Sequence, residues 1–216
     1  ELIKVLLRFR LFKVGVIGDI EKAFLQIEIA EKDRDFLRVL WVRDLNEQIP
    51  NIEVLRFTRC VFGVTSSPFH LMATLKHHFS KYSSTHSDEV AELGQCMYVD
   101  DLTSGADSPS EAFKFLDSAK TILSEGGFNL RKFVTNSTAL KESIYAKWPG
   151  SNTAAEPGEL SYAEYSTGSL ALNNPSQAEH KVLGVLWDTK QDQFVFKFDH
   201  ILEISKEIQF TNRGVL

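Results

Sequence analysis

The chain has 216 residues, 43% hydrophobic and 25% charged, with 24 basic and 29 acidic side chains and a net charge of −5. That composition fits a globular protein with one sizeable core. It excludes a bilayer-spanning helix, since no apolar run approaches ~20 residues, and a disulfide framework, since only Cys60 and Cys96 are present; the acidic balance argues against autonomous nucleic-acid binding, which carries a basic footprint.

The first residues do not read as a signal peptide, because Leu2 to Leu7 is short and interrupted by Lys4. Few cysteines make a reducing, intracellular compartment the expectation. The chain starts at Glu1 in mid-pattern, which suggests a fragment. The charge imbalance is local: Val61 to Leu130 holds four lysines against nine carboxylates. An acidic middle suits a metal site better than a duplex groove.

Leu2 to Phe9 reads as a helix or buried segment. Val14 to Asp19 is a short apolar run ending in a carboxylate, the pattern of a buried strand with an acid at its C-terminal end. Ile20 to Ile29 is a turn or short helix, and Glu31 to Asp35 a solvated turn. Phe36 to Val42 and Ile52 to Thr58, with a turn over Asp44 to Asn51, predict a hairpin.

Ser66-Ser67-Pro68 predicts a capped helix start, with apolar positions 71, 72, 75, 79 and 82 on one face. Ser84 to Glu92 is polar and reads as a loop. Gln95 to Ser104 then reads as two strands around an acidic turn, Asp100-Asp101. Ser108-Pro109-Ser110-Glu111 is a capping box opening a helix that Gly126-Gly127 ends. Phe128 to Val134 is a strand carrying Arg131 and Lys132. Pro149 to Glu179, rich in small and polar residues, reads as a flexible loop or insertion. Lys181 to Trp187 and Gln193 to Phe198 are two strands around a turn at Asp188 to Asp192, and Asp199 to Phe210 begins a helix. Such a mixture predicts an α+β fold, an antiparallel sheet with helices on one face.

An Asp-Asp pair considered alone mostly marks a surface turn. If the strand ending at Asp19 neighbours the Asp100-Asp101 hairpin, three carboxylates converge on a two-metal arrangement. His70, His77 and His78 with Cys96 fit no closed zinc spacing, and Asp107 reads as a turn residue.

Asp19-Ile20-Glu21-Lys22-Ala23-Phe24-Leu25-Gln26-Ile27, then Phe62-Gly63-Val64-Thr65-Ser66-Ser67-Pro68-Phe69, then Tyr98-Val99-Asp100-Asp101 resemble the successive palm motifs of reverse transcriptases, with the flavour of LTR retrotransposons of the BEL/Pao group. Gly126 to Lys132 is similar to the fourth palm motif, and Leu183-Gly184-Val185-Leu186-Trp187 to the primer-grip hairpin. The matches run from Asp19 to Trp187 in the family's order.

The resemblance implies a polymerase palm with a ferredoxin-like or RRM-like core and RNA-directed DNA polymerase activity. Two Mg²⁺ ions, with Mn²⁺ as a substitute, would be held by Asp19, Asp100, Asp101 and the Ile20 carbonyl. Phe24 would be the steric gate that selects dNTPs, with a core phenylalanine as the alternative. Phe62, Gly63 and Lys132 would meet the nucleotide. Phe62 stands where many retroviral enzymes carry glutamine, so an apolar contact replaces a hydrogen bond there. Lys132 is a proton donor or cation near the pyrophosphate, or a solvated strand lysine. Tyr98 would lie beside the primer terminus, or be a plain sheet tyrosine; Leu183, Gly184 and Trp187 would also meet primer and template.

The implied organisation is a palm core over 1–148 with partial fingers elements, an insertion over 149–179, a primer-grip-like hairpin over 180–199 and the start of a thumb over 200–216. The implied partners are an RNA or DNA template, a DNA primer, dNTPs and other regions of a retrotransposon polyprotein, with no membrane. The implied compartment is cytoplasmic, with virus-like particles and the nucleus also open. Without full fingers and thumb the isolated chain is expected to be feeble or inactive. The alternatives are a non-catalytic remnant or co-opted binding module, and another two-metal phosphotransferase or nuclease, whose usual carboxylate-rich motifs are absent.

Overall fold

A computed structural model describes residues 2–44, 51–151 and 179–196. The centre is a four-stranded antiparallel sheet in the order β4-β5-β1-β6, formed by β1 (Val14–Ile20), β4 (Met97–Tyr98), β5 (Asp101–Ala106) and β6 (Leu130–Thr135). This is the α+β fold expected. β1 lies inside the sheet between β5 and β6, and its burial on both faces matches that place.

Alternation along β1 divides the sheet into two sides. Val14, Val16 and Ile20 enter the main core with Leu102, Leu130 and Phe133. Helices α2 (Ser67–Ser80), α3 (Ser87–Cys96), α4 (Pro109–Glu125) and α5 (Thr138–Lys147) contribute to that core. Helix α4 buries Ala112, Phe115, Leu116, Ala119, Ile122 and Leu123, one stripe at helical spacing. Its cap is made as expected, with Ser108 Oγ accepting from the Glu111 amide at 3.3 Å. Replacing Ser108 by Ala is expected to cost about 1 kcal/mol, readable as a lower denaturation midpoint.

On the opposite side, α1 (Leu2–Phe9) and a three-stranded sheet of β7 (Glu179–Val182), β8 (Val185–Asp188) and β9 (Gln193–Val195) form a second core. It contains Val5, Phe9, Val182, Leu183 and Trp187, with Ile17, Tyr98 and Val134 packed against it. Gly15 makes this approach feasible: a Cβ there would lie 2.9 Å from the Phe9 ring and 3.2 Å from that of Trp187. Arg10 adds a polar clasp to Asp192, a 2.6 Å ion pair, with a second bond to the Asp192 carbonyl. The remaining hairpin, β2 (Arg38–Val42) with β3 (Ile52–Arg56), pairs as expected.

Four sequence expectations need correction. The polar stretch Ser84 to Glu92 is not all loop, because α3 starts at Ser87. Its inward side needs only Val90, Leu93 and Cys96, too few apolar positions to show a period. Gln95 and Cys96 therefore belong to a helix, leaving the first hairpin arm only Met97 and Tyr98. Ser66 makes no side-chain cap on α2; the neighbouring Ser67 hydroxyl instead donates to the Val61 carbonyl at 2.8 Å. Lys181 to Trp187 is two strands, split by a turn at Leu183 (φ +50°) and Gly184 (φ +87°), the positive-φ pair of a tight hairpin. Helix α5, capped by Ser137, carried too weak an apolar period to be read. The expected turn over 45–50, most of the 149–179 insertion and the helix from Asp199 lie outside the described residues.

Both cysteines are buried, Cys60 at 2% and Cys96 at 0% exposure. Burial pushes both thiols above their usual range, with the neighbouring Glu92 carboxylate adding to the effect at Cys96. Thiolates are the reactive species. An aromatic disulfide reagent at pH 8 is therefore expected to label neither in the native protein and both in denaturant; fast labelling of Cys96 without denaturant would contradict this packing.

Candidate active site

Asp19 and Asp101 are direct register partners of β1 and β5. Opposed residues in an antiparallel pair point to the same face, with Cβ atoms about 5 Å apart. The two carboxylates therefore share one face of the sheet at the C-terminal end of β1. Asp100 lies just before Asp101 in the turn, 3% exposed, and its carbonyl accepts from the Ile20 amide at 2.9 Å. That bond ties the hairpin tip to β1 through backbone alone.

The tip is strained. Tyr98 pairs with Asp101 across a two-residue turn in which Val99 has φ +58°. Glycine normally fills a positive-φ position in such a turn, and a β-branched residue there is an outlier costing about 1–3 kcal/mol. Packing offsets the strain: Val99 is buried in the main core, and Tyr98 packs against both cores.

Two cations approach from β6. The β1–β6 register passes from Ile17↔Val134 to Asp19↔Arg131, so one residue of β1 faces two of β6, a β-bulge. Lys132 sits in that bulge with φ +55°, and its amide leaves the ladder to donate to the Ser151 carbonyl at 2.7 Å. Its Nζ lies 3.5 Å from Asp19 Oδ2. Arg131 reaches Glu21 at 3.4 Å, and Asn129 Nδ2 donates to the other Glu21 oxygen at 2.8 Å. The Glu21 amide in turn donates to the Asn129 carbonyl at 2.9 Å. Glu21, Asn129 and Arg131 were not singled out as site residues from sequence; the two successive cations of β6 were visible, the bulge that brings both to β1 was not.

The remaining named residues divide by exposure. Phe24, at 1%, is buried in the main core. Its ring meets Phe62 edge-to-face at 4.8 Å, and Phe62 is the exposed partner at 42%. Gly63 has φ +85°, a conformation that favours glycine. Leu183 and Trp187 are buried at 4% and 0%, so they support the β7–β8 turn from beneath and do not present their rings or side chains at its surface.

The donor chemistry fits Mg²⁺, which usually binds through one or two carboxylates plus substrate phosphates and keeps several waters. Among the described residues no group of three or more His, Cys, Asp or Glu side chains is placed to hold a metal ion by itself, so any ion here would rest on one or two carboxylates completed by substrate phosphates and water. The histidines make no alternative: His78 Nε2 is 2.6 Å from the Ile122 carbonyl, a structural bond. No described helix is long and apolar enough to cross a membrane.

The family model for reverse transcriptase (RNA-dependent DNA polymerase) matches residues 9–185. No curated protein matches the chain. The matched span runs from the end of α1 to the first residue of β8 and includes Asp19, Phe62-Gly63, Tyr98 to Asp101 and the β6 bulge. By that match over most of its length, the chain belongs to the reverse transcriptase family.

Proposed function

We infer that this chain is the palm of an RNA-directed DNA polymerase, in which a primer 3′-OH attacks the α-phosphate of a dNTP and pyrophosphate leaves. The supporting observation is the Asp19–Asp101 register pair, with Asp100 bound through its backbone to the end of β1. Asp19, Asp100 and Asp101, with the Ile20 carbonyl, would hold two Mg²⁺ ions. Those ions supply nucleophile activation and charge neutralisation at the phosphates. Asp100 is the essential ligand in this reading and Asp101 the auxiliary one.

Phe24 and Phe62 act as an aromatic corner: the buried ring braces the exposed one, and their bulk leaves no room for a ribose 2′-hydroxyl. Gly63 lets the backbone come close to the nucleotide. Tyr98 lies at the primer side of the hairpin. Leu183-Gly184 offers a turn to the primer, with Trp187 holding it from the core. Residues 1–148 form the palm core in this reading, 149–179 an insertion, 180–199 the grip and 200–216 the start of a thumb. The BEL/Pao character, the retrotransposon origin with its polyprotein partners, and a cytoplasmic location belong to the same proposal.

Primer extension with oligo(dT) on poly(A), in Mg²⁺ or Mn²⁺, tests it. Extension by the native chain, or by its parent polyprotein, that Asp100→Asn removes supports the reading. Extension unaffected by Asp100→Asn sinks it. A non-catalytic remnant would show template binding without extension in either form.

A further inference from the structure

The β6 bulge does something that strand geometry ordinarily forbids. Successive strand residues point to opposite faces, so Arg131 and Lys132 ought to diverge. Here the register step and the positive φ at Lys132 turn both toward the end of β1, Arg131 to Glu21 and Lys132 to Asp19. The two ion pairs differ in how they are held. Glu21 is gripped by Arg131 and by the Asn129 amide, and its own backbone is tied to Asn129. The Arg131 side chain is 12% exposed. Lys132 and Asp19 are 23% and 17% exposed; their 3.5 Å separation, like the 3.4 Å between Arg131 and Glu21, exceeds the roughly 2.7–2.9 Å of a tight charge-assisted bond, so what sets the Glu21 pair apart is its two bonds with Asn129.

We propose that Lys132 is an exchangeable counter-ion, neutralising Asp19 in the free protein and passing to the triphosphate when a divalent cation takes Asp19, while the Arg131–Glu21–Asn129 clasp holds the bulge that aims it. The proposal rests on the reading of Asp19 as a metal ligand. Its physical basis is competition: a carboxylate paired with an ammonium must lose that partner before a divalent cation can take full advantage of its charge. The released ammonium then lies beside the site where a polyanion arrives. Metal and nucleotide thereby favour each other's binding through Lys132, and the effect is reciprocal.

Mn²⁺ binding to the purified chain without nucleotide, read as loss of the free-ion electron paramagnetic resonance signal, tests the exchange. Lys132→Gln is expected to bind Mn²⁺ about fivefold or more tightly than the native chain, the lower range of ordinary coupling between two sites. In saturating Mn²⁺, the same variant is expected to bind dATP more weakly. Lys22→Gln removes an exposed charge three residues from Asp19 and should change Mn²⁺ affinity by less than about twofold, as a solvated charge does. Lys132→Arg keeps the charge in the bulge and should stay near native. Equal Mn²⁺ affinity in native and Lys132→Gln chains overturns the exchange, as does Lys132→Arg behaving like Lys132→Gln. Asp19→Asn separates the two levels: Mn²⁺ binding that survives it, or a native chain that binds none, overturns the metal-site reading and the exchange together. Binding lost in Asp19→Asn but unchanged in Lys132→Gln removes only the exchange.

Discussion

Trp187→Ala is expected to destabilise the protein by about 3–5 kcal/mol, the range for truncating a fully buried large aromatic. Trp187 is 0% exposed and meets Phe9 edge-to-face at 4.8 Å. Its indole N–H donates to Asp192 Oδ1 at 3.0 Å, the oxygen that also pairs with Arg10. Alanine would therefore open a cavity, leave Phe9 without its partner and remove one donor from the clasp that joins α1 to the β8–β9 turn. Against the 5–15 kcal/mol net stability of an ordinary domain, such a loss is decisive. A urea melt should show a lower midpoint with little change in slope. Trp187→Phe keeps most of the packing and loses the indole bond, so it should cost nearer 1–2 kcal/mol. If Trp187→Ala costs under about 1 kcal/mol, the β7–β9 sheet is not part of the cooperative unit.

The second large effect is on chemistry. Asp100→Asn is near-isosteric and keeps the backbone carbonyl that accepts from Ile20, so the hairpin tip should hold its shape. It removes a charge from a 3% exposed position next to the Asp19–Asp101 pair. Substituting even the outer partners of metal ligands costs 10–100-fold, so on the proposed reading of Asp100 as a ligand its loss should reduce primer extension by more than about a hundredfold. Asp101→Asn leaves Asp19 and Asp100 in place and should cost less. Circular dichroism and the melting midpoint of Asp100→Asn should remain near native, which separates a lost ligand from a lost fold. Extension within a few-fold of native would remove Asp100 from the essential position.

Much of this was legible in the chain itself. The run Val14 to Asp19 announced a buried strand because its apolar residues leave no solvent face. The Ser108-Pro109 start and Gly126-Gly127 stop of α4 are local chemistry, decided by which residues can cap a helix or adopt its end. Phe24 shows the opposite case. Its place five residues after Asp19 carried the resemblance to a steric gate, but spacing does not say how far the ring is covered, and only the Phe62 contact and the core around it settle that. Trp187 was named with the residues that would meet primer and template, and its full burial has a like reason: burial depends on what α1 brings to it from the other end of the chain.

The sequence by itself determined the strand ending at Asp19, the acidic Asp100-Asp101 turn and the capped helix α4, because these depend on residue type and on periods of two and 3.6; it also carried, in residue identity and order, the resemblance to the palm motifs. Tertiary structure alone decided that Asp19 stands opposite Asp101, that Val99 carries the strain of the turn, and that Arg131 and Lys132 both turn toward β1. The first is a long-range register, the second a backbone angle imposed by packing, and the third a one-residue slip between strands more than a hundred residues apart in the chain. None of the three has a local signal, since each is set by which segments meet and not by the residues of either segment alone.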